Sequence, residues 1–423
     1  MLRKLIAMVF AAALLLSGCA APTGNTPSAH SAFVRLVSRE GKLTEQTIEP
    51  LDDKFVSGMG SFGLSAASRL YIEDENFALS PVSITLALCM ARVGAQGETK
   101  EEMTEALGLS GLTDEQITAA CKALMWRANT GGMEAANALW LLSNYEYRED
   151  YIKTCTEEYM ADLKPLAIPG AMKDVNAWAR EKTHGKIDSI LSEEPSPDTR
   201  MIITNALYYL GDWERPFDAN STFDKEFTMP SSAVTVPFMH SSWYVPYYEN
   251  DQFSMITLAF KAEEKEGKYA MAFLLPVESS SVQDLLTSLD GAMFKSALNS
   301  AADDKEVKIS LPKFEFEFFT PLNETLAAMG MEQAFSQESA DFSGITDAEP
   351  LFISNVLHKC YVRIDELGAE AAAVTVVEAP ASEAPAEEEK REFIANRPFV
   401  FAIYSLEDGA IAFIGAVNDP SQK

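Results

Sequence analysis

The sequence predicts an α+β protein, because its helical patterns come mainly early in the chain and its strand patterns come late. Three observations support this class: a capped apolar helix after Ser80, two alternating strands after residue 306, and a hairpin signal near the C-terminus. The 423 residues are 47% apolar and 23% charged, which is typical of a globular protein with one large core.

The helices are predicted from caps and apolar runs. Ser80-Pro81 is a helix-start signal, the apolar run that follows it indicates a deeply buried helix, and Gly94 ends that helix. Further helices are predicted over residues 101–107, 114–126 and 175–182. No repeat or linker interrupts residues 50–377, so we expect one domain.

The strands are predicted from period two. Apolar residues alternate with polar ones over residues 307–311 and 314–318, which indicates half-buried strands. Near the end, Glu407-Asp408-Gly409 separates two apolar segments, 399–405 and 410–417, and predicts a hairpin. Before it, residues 378–392 are rich in Pro, Ala and Glu and are predicted to form an exposed loop.

The first 18 residues are predicted to be an export signal. A basic start precedes an apolar run over residues 5–16, which is too short to span a bilayer and fits a signal peptide. Residues 16–19 (LSGC) resemble a bacterial lipobox, so Cys19 is expected to carry a lipid; cleavage without a lipid is the alternative. Residues 19–49 would then tether a domain over residues 50–423 to the outside of the cell envelope.

Charge and missing motifs exclude several functions. Acids outnumber bases 63 to 34, and a net charge of −29 disfavours a nucleic-acid partner. Gly58, Gly60 and Gly63 spell G-x-G-x-x-G, but no strand precedes them, so no nucleotide site is expected. No nucleophile elbow or zinc motif is present, and neither an enzyme, a metal nor a cofactor is expected. The thiols after residue 19 are expected to be buried and free: Cys89, Cys121, Cys155 and Cys360.

Motifs between about residues 50 and 420 resemble, in the same order, those of the serpins, a family of serine protease inhibitors. They are residues 76–84 (NFALSPVSI), 94–99 (GAQGET), 136–140 (ANALW), 176–178 (NAW), 183–187 (THGKI), 204–209 (TNALYY), 211–213 (GDW), 236–239 (VPFM), 311–314 (LPKF), 341–345 (DFSGI), 358–359 (HK), 397–399 (RPF) and 413–415 (FIG). A collinear set of this size is far more specific than any single motif.

The resemblance implies the serpin fold, with three β-sheets, eight or nine helices and an exposed reactive loop over about residues 366–392. It also implies a metastable protein, whose more stable form has the loop inserted as a central strand of the main sheet. Two switch regions follow from the resemblance. The shutter, a polar cluster beneath the main sheet, comprises Ser80, Ser83, Asn205 and His358; the breach, at the top of that sheet, comprises Lys313, Glu366 and Trp213.

The loop begins with a hinge of small residues. By resemblance the hinge comprises Glu366, Gly368, Ala369, Glu370, Ala371, Ala372 and Ala373. In a strand, the odd-numbered residues 369–377 share one small, uncharged face, and the glutamates at 370 and 378 share the other. The loop could therefore enter a sheet, although an Ala-rich helix is the alternative. Relatives that inhibit carry Thr or Ser where this chain has Ala369, and a polar residue where it has Leu367.

The reactive bond is predicted by counting from the hinge glycine as the family does. That count places the bond between Ser382 and Glu383, with Ala381 and Ala384 as alternatives. Counting back from the downstream strand moves the bond towards residue 387. Small residues before the bond suit an elastase-like or subtilisin-like pocket.

The function implied by the resemblance is irreversible inhibition of serine proteases, with papain-like cysteine proteases as a second class. The target would form an acyl-enzyme with the loop, and insertion of the loop would deform the target. The protein would act as a monomer, without catalytic residues, and would contact a membrane only through its lipid. The alternative is a non-inhibitory serpin that acts as a surface binding protein.

Overall fold

The computed structural model describes residues 51–130, 133–159, 161–209, 211–262, 268–348, 350–369 and 390–422. Over these ranges the chain forms nine α-helices and three β-sheets, which confirms the predicted α+β class. None of the helices in these ranges is both long and apolar enough to cross a membrane. The predicted signal, Cys19 and the tether lie outside the described residues.

The helices concentrate in the first half of the chain. They are α1 (Asp53–Leu70), α2 (Pro81–Gly94), α3 (Gly97–Ala106), α4 (Asp114–Thr130), α5 (Glu149–Glu157), α6 (Ala171–Lys182), α7 (Val282–Ser288), α8 (Gly291–Ser300) and α9 (Asn323–Ala328). Helix α2 begins and ends as predicted: the Ser80 side chain accepts a hydrogen bond from the Ser83 amide, and nearly every residue is buried. Helix α3 begins four residues before the predicted start, directly after Gln96.

Fifteen strands form in the described ranges. They are β1 (Phe77–Leu79), β2 (Met133–Leu142), β3 (Asp162–Leu166), β4 (Met201–Tyr209), β5 (Thr222–Thr228), β6 (Ala233–Tyr244), β7 (Tyr247–Glu249), β8 (Phe253–Ala259), β9 (Tyr269–Pro276), β10 (Glu306–Pro312), β11 (Phe314–Pro321), β12 (Ile353–Ile364), β13 (Arg391–Ile394), β14 (Phe399–Ser405) and β15 (Ile411–Val417). The predicted alternating strands correspond to β10 and β11, and the predicted hairpin to β14 and β15.

The three sheets differ in size. The main sheet has the order β11-β12-β4-β2-β3, a six-stranded sheet has the order β1-β15-β14-β9-β8-β7, and a four-stranded sheet has the order β13-β10-β6-β5. Most neighbouring strands are antiparallel, but β12 and β4 at the centre of the main sheet are parallel. Helix α2 lies between the main sheet and β15, so the shutter sits between two sheets.

The G-x-G-x-x-G glycines lie inside α1 and serve close packing. A Cβ atom on Gly58 would stand 2.0 Å from the carbonyl oxygen of Gly108, and one on Gly63 would stand 2.2 Å from the Pro81 ring. The helix therefore needs glycine at these positions in order to approach its neighbours, which explains the motif without a nucleotide.

Candidate functional site

The candidate site is the seam between β12 and β4 in the main sheet, together with the chain that follows β12. The two strands pair in parallel from Ile353/Met201 to Tyr361/Tyr208. Beyond that point the strands no longer pair, and residues 367–369 bond to residues 211–213 instead. An additional strand that entered the sheet here would have to separate β12 from β4.

The shutter forms one row across three strands. His358 on β12 is the register partner of Asn205 on β4, and Asn205 is the partner of Asn137 on β2. The Asn205 Nδ2 atom donates to Ser83 Oγ and, at 2.5 Å, to Asn137 Oδ1; the His358 Nδ1 atom lies 2.5 Å from Asn205 Oδ1. Ser83 Oγ donates to Asn137 Oδ1 over 3.1 Å. This network joins β12 to β4, the two strands that an additional strand would have to separate.

The observed shutter differs from the predicted one at two residues, Ser80 and Asn137. The Ser80 hydroxyl donates to the Ala412 carbonyl on β15 over 2.6 Å, so it fastens α2 to the six-stranded sheet. Asn137 is a member of the cluster that the sequence reasoning did not single out. The signal was available, because Asn137 is a polar residue within the otherwise apolar segment 136–140.

His358 is an uncharged member of this network. Complete burial lowers the pKa of His358 to about 3, so the imidazole is neutral near pH 7. Asn205 Oδ1 is an acceptor, and we therefore assign the ring proton to Nδ1. The Nε2 atom has no hydrogen-bond partner among the described residues, so the ring is held from one side only.

The pH dependence of stability should report on this ring. Because the folded-state pKa lies below the unfolded value of about 6.5, the neutral ring favours the folded state above pH 6.5, and that contribution is lost as the pH falls towards 3. Between pH 7 and pH 5 we expect the wild type to lose about 2 kcal/mol more than His358→Gln in urea unfolding. Equal dependence in the wild type and His358→Gln would contradict the assignment.

The breach is assembled around Glu366. Lys313 Nζ lies 2.7 Å from Glu366 Oε2, and the Thr222 hydroxyl donates to Glu366 Oε1 over 2.8 Å. Burial alone would raise the pKa of Glu366, but the hydrogen bonds from Lys313 and Thr222 hold that pKa below its ordinary value. Trp213 lies beside it, where its Nε1 atom donates to the Asp365 carbonyl over 3.0 Å and its ring stacks on Phe260 at 4.6 Å.

Removing the charge of Glu366 should weaken the breach by a small amount. We expect Glu366→Gln to lower the unfolding free energy of the intact protein by about 1 kcal/mol, because the Lys313 side chain is 35% exposed and stays partly hydrated after the loss. Glu392→Gln is the matched control, because Glu392 pairs with Lys308 at the surface. This variant should lower the unfolding free energy by no more than about 0.5 kcal/mol. Equal effects in urea unfolding would argue against a special role for the breach pair.

The described part of the hinge, residues 366–369, is bonded to the chain that follows β4. The Trp213 amide donates to the Leu367 carbonyl, and the Ala369 amide donates to the Gly211 carbonyl, each over 2.8 Å. Gly368 has φ +140°, and a Cβ atom there would stand 2.1 Å from the Gly211 oxygen, so this turn requires glycine. Ala369 is only 3% exposed and packs in the core. The Ala369 side chain therefore points inward.

Several predicted residues lie outside the described part of the chain. They are the hinge residues Glu370, Ala371, Ala372 and Ala373, and the reactive-bond candidates Ala381, Ser382, Glu383 and Ala384. Their roles remain predictions. Among the described residues, no cluster of three or more His, Cys, Asp or Glu side chains is arranged to hold a metal ion.

Comparison with known proteins identifies the class of protein to which this chain belongs. The family model described as "Serpin (serine protease inhibitor)" matches residues 57–420. An uncharacterized serpin-like protein of Thermococcus kodakarensis is 33% identical over 99% of both chains, and the leukocyte elastase inhibitor of Bos taurus is 31% identical over 82% of this chain and 93% of its own. The fold and the seam thus define a protein of the serine protease inhibitor class.

A solved structure agrees with that class. The thermophilic serpin tengpin in its native state has 30% identity, covers 91% of this chain and 98% of its own, and gives a TM-score of 0.81. The chain belongs to the serpin family. The implied serpin fold and the recognition of the family from short motifs are therefore confirmed.

Proposed function

We propose that this serpin inhibits serine proteases irreversibly. A protease cleaves the reactive loop near Ser382 and becomes acylated; the free loop end then inserts between β12 and β4 and carries the enzyme with it. The acyl-enzyme is deformed before water can release it. The inhibitor contributes a substrate-like bond and stored conformational energy, and no catalytic residue of its own.

The observation that carries this proposal is the buried position of Ala369, whose amide is bonded to the Gly211 carbonyl. Gly368 is the antiparallel bridge partner of Asp212, and the Asp365 amide donates to the Gly368 carbonyl on the β12 side. If both pairings continue, the residue seven positions after Gly368 stands opposite Asn205 on one side and opposite His358 on the other. That residue is Thr375, so the loop would bring a hydroxyl into the row where insertion breaks the bond between Asn205 and His358.

The same register explains the composition of the loop. Thr375 has the same parity as Ala369, which points inward, so residues 369, 371, 373, 375 and 377 would face α2 and the core. All are small or β-branched and uncharged, whereas Glu370 and Glu378 would face water. About ten inserted residues with ladder hydrogen bonds worth roughly 0.5–1.5 kcal/mol each, together with apolar burial, give on the order of 10–20 kcal/mol. This energy is comparable with the stability of a whole domain.

The target class follows from the small residues around the reactive bond. Residues 379–384 are Ala, Pro, Ser and Glu, which suit elastase-like or subtilisin-like pockets, and papain-like cysteine proteases are a second class. The relative named leukocyte elastase inhibitor agrees with this direction. A lipid on Cys19 would hold the monomeric inhibitor on the outside of a bacterial envelope, where exogenous proteases arrive.

The test is to mix the protein with elastase, subtilisin, papain and trypsin and to run denaturing gels. We expect a detergent-stable complex with elastase or subtilisin, and mass spectrometry of the released C-terminal peptide should locate the cut within residues 379–387. Cleavage by every enzyme without a complex would overturn inhibition. That outcome would support the alternative, a non-inhibitory binding protein, which the departures at Leu367 and Ala369 make worth testing.

A further inference from the structure

A second apolar cluster covers the face of the main sheet that is opposite to the shutter. Side chains alternate between the two faces of a strand, so Ala206 and Leu357 point away from the face that carries Asn205 and His358. Both belong to a cluster that is separate from the main core and includes Trp178 on α6. Because Ala206 lies on β4 and Leu357 on β12, this cluster crosses the same seam as the shutter.

The chain that follows α6, the covering segment (residues 183–191), is fastened to that helix. The Asn176 Oδ1 atom on α6 accepts hydrogen bonds from the Ile190 and Leu191 amides over 2.8 and 2.9 Å, and Asn176 Nδ2 donates to the Leu191 carbonyl over 2.8 Å. Ile187 and Ile190 are buried in the second apolar cluster. The helix and the covering segment are therefore joined as one unit on the sheet.

Lys359 is the charged side chain that connects β12 with the covering segment. It is the register partner of Ala206 across the seam, and its side chain is only 13% exposed. The Lys359 Nζ atom donates to the Ser189 carbonyl over 3.1 Å and lies 2.8 Å from Glu317 Oε2 on β11. Strands β11 and β12 lie on the same side of the seam, whereas Ser189 belongs to the unit that packs mainly on β2 and β4. Only the bond to Ser189 therefore ties the two sides together.

We propose that the bond from Lys359 to Ser189 is a lock on the outer face of the seam, and that Lys359 limits the rate at which β12 separates from β4. A strand that entered the seam would move the two strands apart by one strand spacing, about 4.8 Å. Either the bond to Ser189 then breaks or the covering segment leaves β4, and each route loses a contact of the closed seam.

The lock is inferred from these described contacts alone, whereas its effect on protease trapping rests on the proposed function. Lys359 is a positioning residue in this account, because it acts on the seam through the covering segment and touches no protease.

The first experiment measures opening of the seam by hydrogen exchange and mass spectrometry of the intact protein. In Lys359→Met, which keeps a long side chain and removes its charge, the amides of β4 and β12 should exchange at least about fivefold faster than in the wild type. The amides of β14 and β15, which lie in another sheet, should stay within about twofold of the wild type. Lys359→Arg keeps a charged donor and should return the seam amides to within about twofold of the wild type.

Glu317→Gln is the matched control, because it removes the partner of Lys359 that lies on the β12 side of the seam. Its seam amides should stay within about twofold of the wild type. Equal exchange in Lys359→Met and Glu317→Gln would overturn the lock. Faster exchange in every sheet of Lys359→Met would overturn it as well, since that pattern means a general loss of stability.

The second experiment connects the lock with trapping. At saturating inhibitor, the limiting rate of covalent complex formation with elastase, followed on denaturing gels after rapid quenching, should be at least about threefold higher in Lys359→Met than in Glu317→Gln. Equal limiting rates, with faster seam exchange in Lys359→Met, would overturn the link to trapping. If no variant forms a complex while that faster exchange is seen, the proposed function fails and the lock stands.

Discussion

Ala369→Arg is expected to abolish the covalent protease complex and turn the protein into a substrate. Ala369 is 3% exposed and its amide is bound to Gly211. An arginine could leave this position in the intact protein, but its unpaired charge would have to be buried in the core when the loop enters the sheet. The barrier would delay insertion beyond hydrolysis of the acyl-enzyme. The stoichiometry of inhibition, measured by titrating elastase, should rise by at least tenfold.

Parity supplies the control for this experiment. Ala372 has the opposite parity to Ala369, so Ala372→Arg would place its charge on the solvated face of the inserted strand. This variant should keep at least about half of the wild-type yield of covalent complex, because its charge stays in water when the loop becomes a strand. If both variants inhibited equally well, the assignment of inward and outward faces would be wrong.

Asn205→Ala is expected to be the most damaging single change in the shutter. It removes the side chain that joins Ser83, Asn137 and His358, and leaves buried polar atoms on all three without that partner. Since each buried group left unsatisfied costs about 1–3 kcal/mol, the loss in urea unfolding should be about 3 kcal/mol or more. The seam between β12 and β4 should also open spontaneously, which a native gel would show as loop-inserted or polymeric species.

A variant at the neighbouring Thr204 is the control that distinguishes general loss of stability from loss of the shutter. Thr204, also on β4, accepts a hydrogen bond from Trp140 Nε1 over 2.8 Å and lies outside the polar row. Thr204→Val breaks one buried hydrogen bond and should cost about 1–2 kcal/mol without releasing the seam. Spontaneous conversion in Thr204→Val at the rate seen for Asn205→Ala would mean that general destabilisation, and not the shutter, controls opening.

The local patterns predicted those elements whose signals depend on short-range physics. The cap at Ser80, the period-two strands β10 and β11, and the closing hairpin each follow from neighbouring residues. The start of α3 was placed four residues late, because the segment GETK gives no apolar repeat by which to locate it.

The site could be predicted only through the family resemblance. Periodicity does not show that β12 pairs in parallel with β4, and so it does not place His358 beside Asn205. The partners Asn137 and Thr222 were missed because their contacts, with Asn205 and Glu366, are distant in the sequence. The seat of Ala369 on Gly211 was also unforeseen, since it depends on where β4 ends.

The central claim is that the loop can become a strand of the main sheet. Thermal unfolding of the intact protein, compared with protein cut once between residues 379 and 387, tests that claim most directly. We predict that the cut protein unfolds roughly 20 °C higher or more, because insertion adds stability on the order of 10–20 kcal/mol. Identical unfolding temperatures, with the cut verified by mass, would contradict the account.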